Sequence, residues 1–240
     1  MDREPNDALL DYYSKTASVY DDAQIIPGDE HRVALTYLDG ICLNEEPANL
    51  LDVGCGTGRA LVHLSQRFPQ IDLYGLDPSA SMLDVCHRKG IARDHLFEGD
   101  ACNLPFVDGS FDFVTAFGVL HHIKNPELAV QEMCRVARNS VFVSDHNVYG
   151  WGNASSVMIK NTIRRLGLWK VFVAVHTRGK GFYNTDYDGI FYPFSLLDHT
   201  LNFQRRFKKV SFLTTKSSGP SLYGATSHLC IYATNITELS

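Results

Sequence analysis

Leu50-Leu51-Asp52-Val53-Gly54-Cys55-Gly56-Thr57-Gly58 decides the fold. Residues 50–53 are a short apolar run ending at glycine and read as a buried strand; residues 59–67 read as a helix with Leu61 and Leu64 on one face. Glycines between a strand and a helix let the backbone turn sharply and let a ligand approach the main chain without Cβ clashes. A dinucleotide fingerprint needs G-x-G-x-x-G, and the sixth position here is Arg59. A pyrophosphate-binding reading therefore loses ground.

Working outward, the alternation continues. Residues 72–76, 95–97, 111–116 and 140–144 read as strands, with helices over 80–89 and 126–137. Strands of about five residues alternating with helices of about ten imply right-handed crossovers and a parallel sheet. The predicted fold class is α/β, a doubly wound and mostly parallel sheet. Upstream, residues 7–20 and 29–39 read as helices. Downstream, 155–166 reads as a helix, while 176–195 is rich in Gly, Tyr and Phe and resists assignment. Two β-rich runs, 208–215 and 228–234, flank Ser217-Ser218-Gly219-Pro220, which predicts an antiparallel hairpin closing the sheet edge.

Composition excludes several classes. Hydrophobic residues make up 45% and charged residues 20% of 240, as in an ordinary globular protein with a full core. The net charge of −5 argues against a chain built to grip phosphate backbones. The six cysteines form no C-x-x-C pair and no zinc-ligand spacing, so buried thiols are expected and no metal. The N-terminus lacks a signal-peptide core and no apolar stretch reaches about twenty residues. The expectation is a cytoplasmic protein with no membrane and no nucleic-acid partner, a monomer or homodimer.

Two acids follow the glycine loop. Asp77 lies nineteen residues past Gly58 at the end of the second strand, where a carboxylate can accept both hydroxyls of a ribose. Asp100, in Glu98-Gly99-Asp100-Ala101, follows the third strand and can accept a hydrogen bond from an adenine amine. Three strand ends in a row thus carry a glycine turn and two acids on the carboxyl edge of the sheet, where open α/β sheets bind ligands.

The runs LLDVGCGTG, LYGLDPSASML and EGDACNLPFVDGSFDFV resemble the first three motifs of class I S-adenosylmethionine (SAM)-dependent methyltransferases, above all the methyltransferase type 11 branch that includes ubiquinone and menaquinone biosynthesis enzymes. The resemblance covers about residues 48–145. It implies a Rossmann-like seven-stranded sheet whose last two strands form a hairpin, SAM as cofactor and S-adenosylhomocysteine as product. It places Gly54 and Gly56 against the methionine portion and Asp52 orienting the loop and the SAM amine. Asp77 falls on the ribose beside Pro78, Met82 on the adenine face, and Asp100 with Ala101 at the adenine edge. Phe117 and Gly118 border the sulfonium. Tyr20, in a segment similar to the family's aromatic lid, is the expected lid contact. One domain, 1–240, is expected: lid helices 1–40, SAM-binding core 48–145, substrate-cap insertion 149–200 and closing hairpin 205–236.

Methyl transfer is an in-line displacement that needs an aligned nucleophile and, for a hydroxyl, a base. His121 and His122 follow the fourth strand, and His146 ends the fifth beside Asp145. Each is a candidate catalytic base. The chain lacks the Asn/Asp-Pro-Pro-Tyr/Phe motif of nucleobase amino-methyltransferases and the Pro-Cys pair of cytosine-C5 enzymes. The cap is rich in aromatics, including Trp151, Trp169 and Phe191, interleaved with charges, which suits a small-molecule acceptor such as a metabolite, glycan precursor or natural product. O-methylation is the expected reaction. An NAD-dependent oxidoreductase and a non-catalytic SAM-fold binding protein stand as the competing readings.

Overall fold

A computed structural model of the protein describes residues 5–17, 29–185, 189–219 and 221–236. Strand β1 (Asn49–Val53) leads through the glycine turn into α3 (Arg59–Arg67), and β2 (Asp72–Asp77) leads into α4 (Ala80–Arg88). Then come β3 (Leu96–Glu98), β4 (Phe111–Phe117), α5 (Pro126–Val136) and β5 (Ala137–His146). Upstream lie α1 (Pro5–Thr16) and α2 (Glu30–Glu45). After β5 come α6 (Ala154–Arg165), α7 (Trp169–His176) and a small ribbon, β6 (Tyr183–Thr185) with β7 (Gly189–Phe191). Helix α8 (Thr200–Arg206) precedes β8 (Lys209–Ser217) and β9 (Thr226–Thr234).

The main sheet has seven strands in the order β3-β2-β1-β4-β5-β9-β8. The first five are parallel, and β9 runs antiparallel to both β5 and β8. The strand order reverses between β1 and β4, so the crevice opens there. Alternation along the strands sends Leu51, Val53, Val114 and Val141 to one face, where they pack with Met133 of α5 and Phe203 of α8. Leu50, Phe113 and Phe142 go to the other face, against Leu38, Leu61, Leu64 and Leu83 of α2, α3 and α4. A sheet buried on both faces explains why these strands read as nearly continuous apolar runs.

Several boundaries differ from the sequence-based expectation. Helix α2 runs on through Gly40 to Glu45 because its buried stripe, Leu38 then Cys42, continues past that glycine. Strand β5 starts at Ala137 and ends at His146, longer at both ends than 140–144, because β9 pairs along it from Ser140 to His146. Helix α1 begins at Pro5; residues 18–20 of the expected helix lie outside the described residues. The unassigned stretch contains the end of α7 and the β6–β7 ribbon.

The excursion after β5 has a narrow neck. Asn147 and Ser195 form an isolated antiparallel bridge, and the Ser195 hydroxyl donates to Asn147 Oδ1 at 2.9 Å. The Asn147 amide also donates to the carbonyls of Leu222 and Thr226. Residues 148–194 leave and return at this point.

Candidate active site

The glycine turn sits at the carboxyl end of β1. Gly54, Gly56 and Gly58 all have positive φ, which L side chains adopt at a cost. Two of them are also sterically tight: a Cβ at Gly54 would run into the side chain of Val119, and one at Gly58 into Cys86 Sγ. The Gly54 N–H and that of Cys55 both donate to Leu76 O of β2, so the turn is tied to the neighbouring strand. Asp77 completes the tie, with Oδ2 accepting from Gly56 N and Oδ1 from Ser79 N, each at 2.9 Å. Each carboxylate oxygen keeps one further acceptor position. Burial pushes the Asp77 carboxyl up to about 6, against the pull of those two N–H groups. Asp52, one strand over, accepts from Thr115 Oγ1 at 2.8 Å, and burial pushes it up to about 7.

Met82 is buried in the first turn of α4, whose N-cap is Ser79, and Pro78 is exposed beside it. Asp100 is exposed, with Oδ1 accepting from Cys102 N at 2.8 Å, and Ala101 is buried. Tyr20 lies outside the described residues. Arg59 has a task that spacing could not reveal: its guanidinium donates to both oxygens of Asp29, at 2.9 and 2.7 Å. Asp29 is also the N-cap of α2, accepting from Arg32 N. Burial alone would raise the Asp29 carboxyl, but the Arg32 N–H and the Arg59 guanidinium hold it below its ordinary value.

Across the strand-order switch, β4 ends in Phe117 and Gly118, both half-buried. Gly118 has φ +66°, and a Cβ there would lie 2.8 Å from His31 Cε1. The turn that follows carries His121 and His122, both buried. Asp145, completely buried, organises them. Its Oδ2 accepts from Leu120 N at 2.8 Å, and its Oδ1 accepts from His146 N and from His121 Nδ1, both at 2.7 Å. Burial alone would raise the Asp145 carboxyl; the His121 imidazole more than offsets this and holds it far below the usual range. With Nδ1 committed to Asp145, His121 presents Nε2 as the atom able to take a proton. His122 Nδ1 bonds to Ile190 O at 2.6 Å, and Tyr13 of α1 meets its ring edge-on at 6.1 Å. The histidines differ in partner: a carboxylate for one, a main-chain carbonyl for the other.

His121, Asp145 and His146 bring potential metal-ligand atoms within 4.8 Å of one another, a cluster invisible in the sequence spacing. Both Asp145 oxygens already accept hydrogen bonds, so the trio reads as an oriented acid–base pair with a stacked neighbour; the His121 and His146 rings lie 4.3 Å apart. Sequence reasoning missed two members of this row. His228 pairs with His146 across β5 and β9, and His31 approaches His228 at 5.8 Å. Burial pushes His228 down to about 4, with His31 adding to the effect and Asp145 opposing it. Only the register of the closing hairpin reveals His228. A cleft of about 570 Å³ opens beside them, lined by His146, His228, Trp151, Glu30, Lys216 and Ser227 among others. Trp151 stacks on Phe191 at 5.3 Å, giving the cleft an aromatic wall.

Comparison with known proteins bears on the sequence and the fold. A family model described as "Methyltransferase domain" matches residues 51–143, the whole of the glycine turn, both acids and β4 to β5. Residues 51–143 thus resemble a methyltransferase domain. Ajmaline N-methyltransferase of Rauvolfia serpentina is 28% identical over 167 residues, covering 58% of this chain and 57% of that protein. Demethylmenaquinone methyltransferase of Deinococcus radiodurans is 42% identical over 80 residues, 32% of this chain and 33% of that one. The matches thus span less than two thirds of these relatives' own lengths. Among solved structures, the DhpI–SAH complex superposes with a TM-score of 0.62 at 19% identity, covering 97% of both chains, which shows the same fold.

Proposed function

We propose that the protein transfers a methyl group from SAM to a small-molecule hydroxyl, with His121 as the base. The observation that carries this reading is the buried Asp145–His121 pair, set across the strand-order switch from the glycine turn. The residues present suit the cofactor: a turn with open space where a Cβ at Gly56 would lie, Asp77 at the second strand end for ribose hydroxyls, Asp52 for the methionine amine, and Asp100 at the third strand end. When bound, SAM supplies a methyl group on a cationic sulfur. Phe117 and Gly118 shape the wall at that place, and Met82 with Ala101 would flank the adenine.

On the acceptor side the chain must hold a hydroxyl in line and remove its proton. His121 takes that proton on Nε2, and Asp145 acts as the positioning residue that fixes the tautomer and stabilises the imidazolium. His122 and His146 flank the same place; their main roles here are orientation of the turn and walling of the cleft. The curated relatives include an N-methyltransferase, which keeps nitrogen as the second acceptor reading, since a neutral amine needs no base. Asp145→Asn separates the two: an oxygen acceptor loses about 10²- to 10⁴-fold in turnover, an amine acceptor little. Transfer of labelled methyl from SAM into a metabolite extract is the primary test. Failure to bind S-adenosylhomocysteine, with stabilisation by NAD instead, overturns the reading.

A further inference from the structure

Residues 147–185 contain six Lys and Arg and no Asp or Glu, in a chain whose other residues hold sixteen Lys and Arg against all twenty-seven acids. This segment forms the α6–α7 helical hairpin, turned at Gly167. Neither helix has a fully buried residue. Its inner side is held by aromatic and cationic contacts. Trp169 meets the Tyr149 ring at 4.9 Å, Arg164 lies 4.0 Å over the Tyr223 ring, and Lys160 Nζ donates to the carbonyls of Val148 and Trp151.

The outer side carries most of the exposed aliphatic side chains among the described residues. Of eleven exposed large hydrophobics among the described residues, six lie here: Met158, Ile159, Leu166, Leu168, Val171 and Val175. Leu168, Val171 and Val175 share one helical face by spacing, and Ile159 and Leu166 are two turns apart. Arg165, Lys170, Arg178 and Lys180 are exposed among and beside them. An aliphatic stripe left in water on this scale marks an interaction surface. Its charge decides the partner. The hairpin's own charged side chains are all cations, and cations around aliphatic side chains complement a surface that is anionic outside and hydrocarbon just beneath. A phosphate backbone would use the cations and leave the aliphatics exposed.

We propose that the α6–α7 hairpin seats the protein on an anionic lipid surface, lying in the interface plane with its aliphatic stripe inserted and its basic side chains at the headgroups. The expectation of no membrane partner rested on the lack of a spanning segment, and a hairpin lying on the surface needs none. Among the described residues no helix is long and apolar enough to cross a membrane. Trp151 and Gly150 line the acceptor cleft at the foot of this hairpin, so docking sets the mouth of the cleft near the lipid.

The test is co-sedimentation of the full chain with vesicles of equimolar phosphatidylcholine and phosphatidylglycerol, against pure phosphatidylcholine. Binding is expected to the anionic vesicles only, and to weaken with added salt. Each cation near the surface contributes about fivefold, so R165Q/K170Q should lower the partition coefficient about 25-fold. The double change R88Q/K124Q, elsewhere on the surface, should leave it within about twofold. V171D/V175D should abolish it; all substituted side chains are exposed, and unchanged circular dichroism melts verify folding. No binding to anionic vesicles, or binding that R165Q/K170Q leaves intact, overturns the proposal. A dimer in light scattering that V171D/V175D dissociates, without vesicle binding, overturns it in favour of a second copy of the chain.

Discussion

Asp77 offers the sharpest test of how the cofactor side works. The carboxyl is buried, braces the glycine turn through Gly56 N, and is pushed up to about 6 by burial. Its folded-state value lies above the unfolded one, so its contribution to stability is full below about 3.8 and is lost as pH rises through about 6. At pH 8 the ionised carboxylate therefore costs the empty protein about 3 kcal/mol. Ribose hydroxyls donating to it favour the ionised form, so ligand binding should release a proton at low pH. If the complex holds the carboxylate ionised throughout, affinity for S-adenosylhomocysteine follows the ionised fraction and drops about tenfold from pH 8 to pH 5. Asp77→Asn removes this part of the slope, leaving what Asp52 contributes near pH 7, and weakens binding at pH 8 by about 100-fold through loss of two charge-assisted hydrogen bonds. The same change removes a buried charge but leaves the Gly56 or Ser79 N–H without its acceptor, so the two effects offset and the unliganded Tm at pH 8 should stay within about 4 °C of wild type. Isothermal titration across pH, with melts of the free protein, measures all three quantities. An Asp77→Asn protein that binds as tightly as wild type, or a wild type with no slope between pH 5 and 8, refutes the reasoning.

Three further outcomes follow from the geometry. Gly54→Ala forces a Cβ into Val119 at positive φ and should lower Tm by about 5–15 °C; adding Val119→Ala restores the steric part and leaves the backbone part. Asp145→Asn should leave affinity for S-adenosylhomocysteine intact while Tm falls by about 4–8 °C, because the buried Leu120 N–H or the His121 ring loses its acceptor; an unchanged Tm removes Asp145 from its organising role. His228, depressed to about 4, charges more readily when unfolded, so its neutral burial adds stability that is lost as pH falls from about 6.5 toward 4. Urea melts of His228→Gln should narrow their gap to wild type over that window by about 3 kcal/mol, opposite in sign to the raised acids Asp52 and Asp77.

The parallel half of the sheet was legible because β1, β4 and β5 are largely buried on both faces, and β1 and β2 end at a glycine turn and an acid, as at Val53-Gly54 and Leu76-Asp77. The local code reaches that far. Helix α7 was not legible because its aliphatic face points outward, so no amphipathic period separates it from a buried strand. At the site, Asp77 and His121 could be named from strand ends, whereas His31 and His228 arrive from α2 and β9 and depend on tertiary register. Arg59 is the instructive residue. Its identity spoke against a dinucleotide, yet its partner, Asp29, stands thirty residues upstream and only the fold brings the two together.

The neck at Asn147 and Ser195 bears on how such a chain changes its chemistry. Because the excursion begins and ends on the same bridge, with Asn147 also fastened to the loop before β9, the length and sequence of what lies between are uncoupled from the strand ladder. Long surface insertions closed at a common stem carry little entropic penalty per added residue. The acceptor wall is in this sense a replaceable part on a fixed socket, provided a transplanted stretch keeps the carbonyl that meets His122 and the buried seat of Phe194.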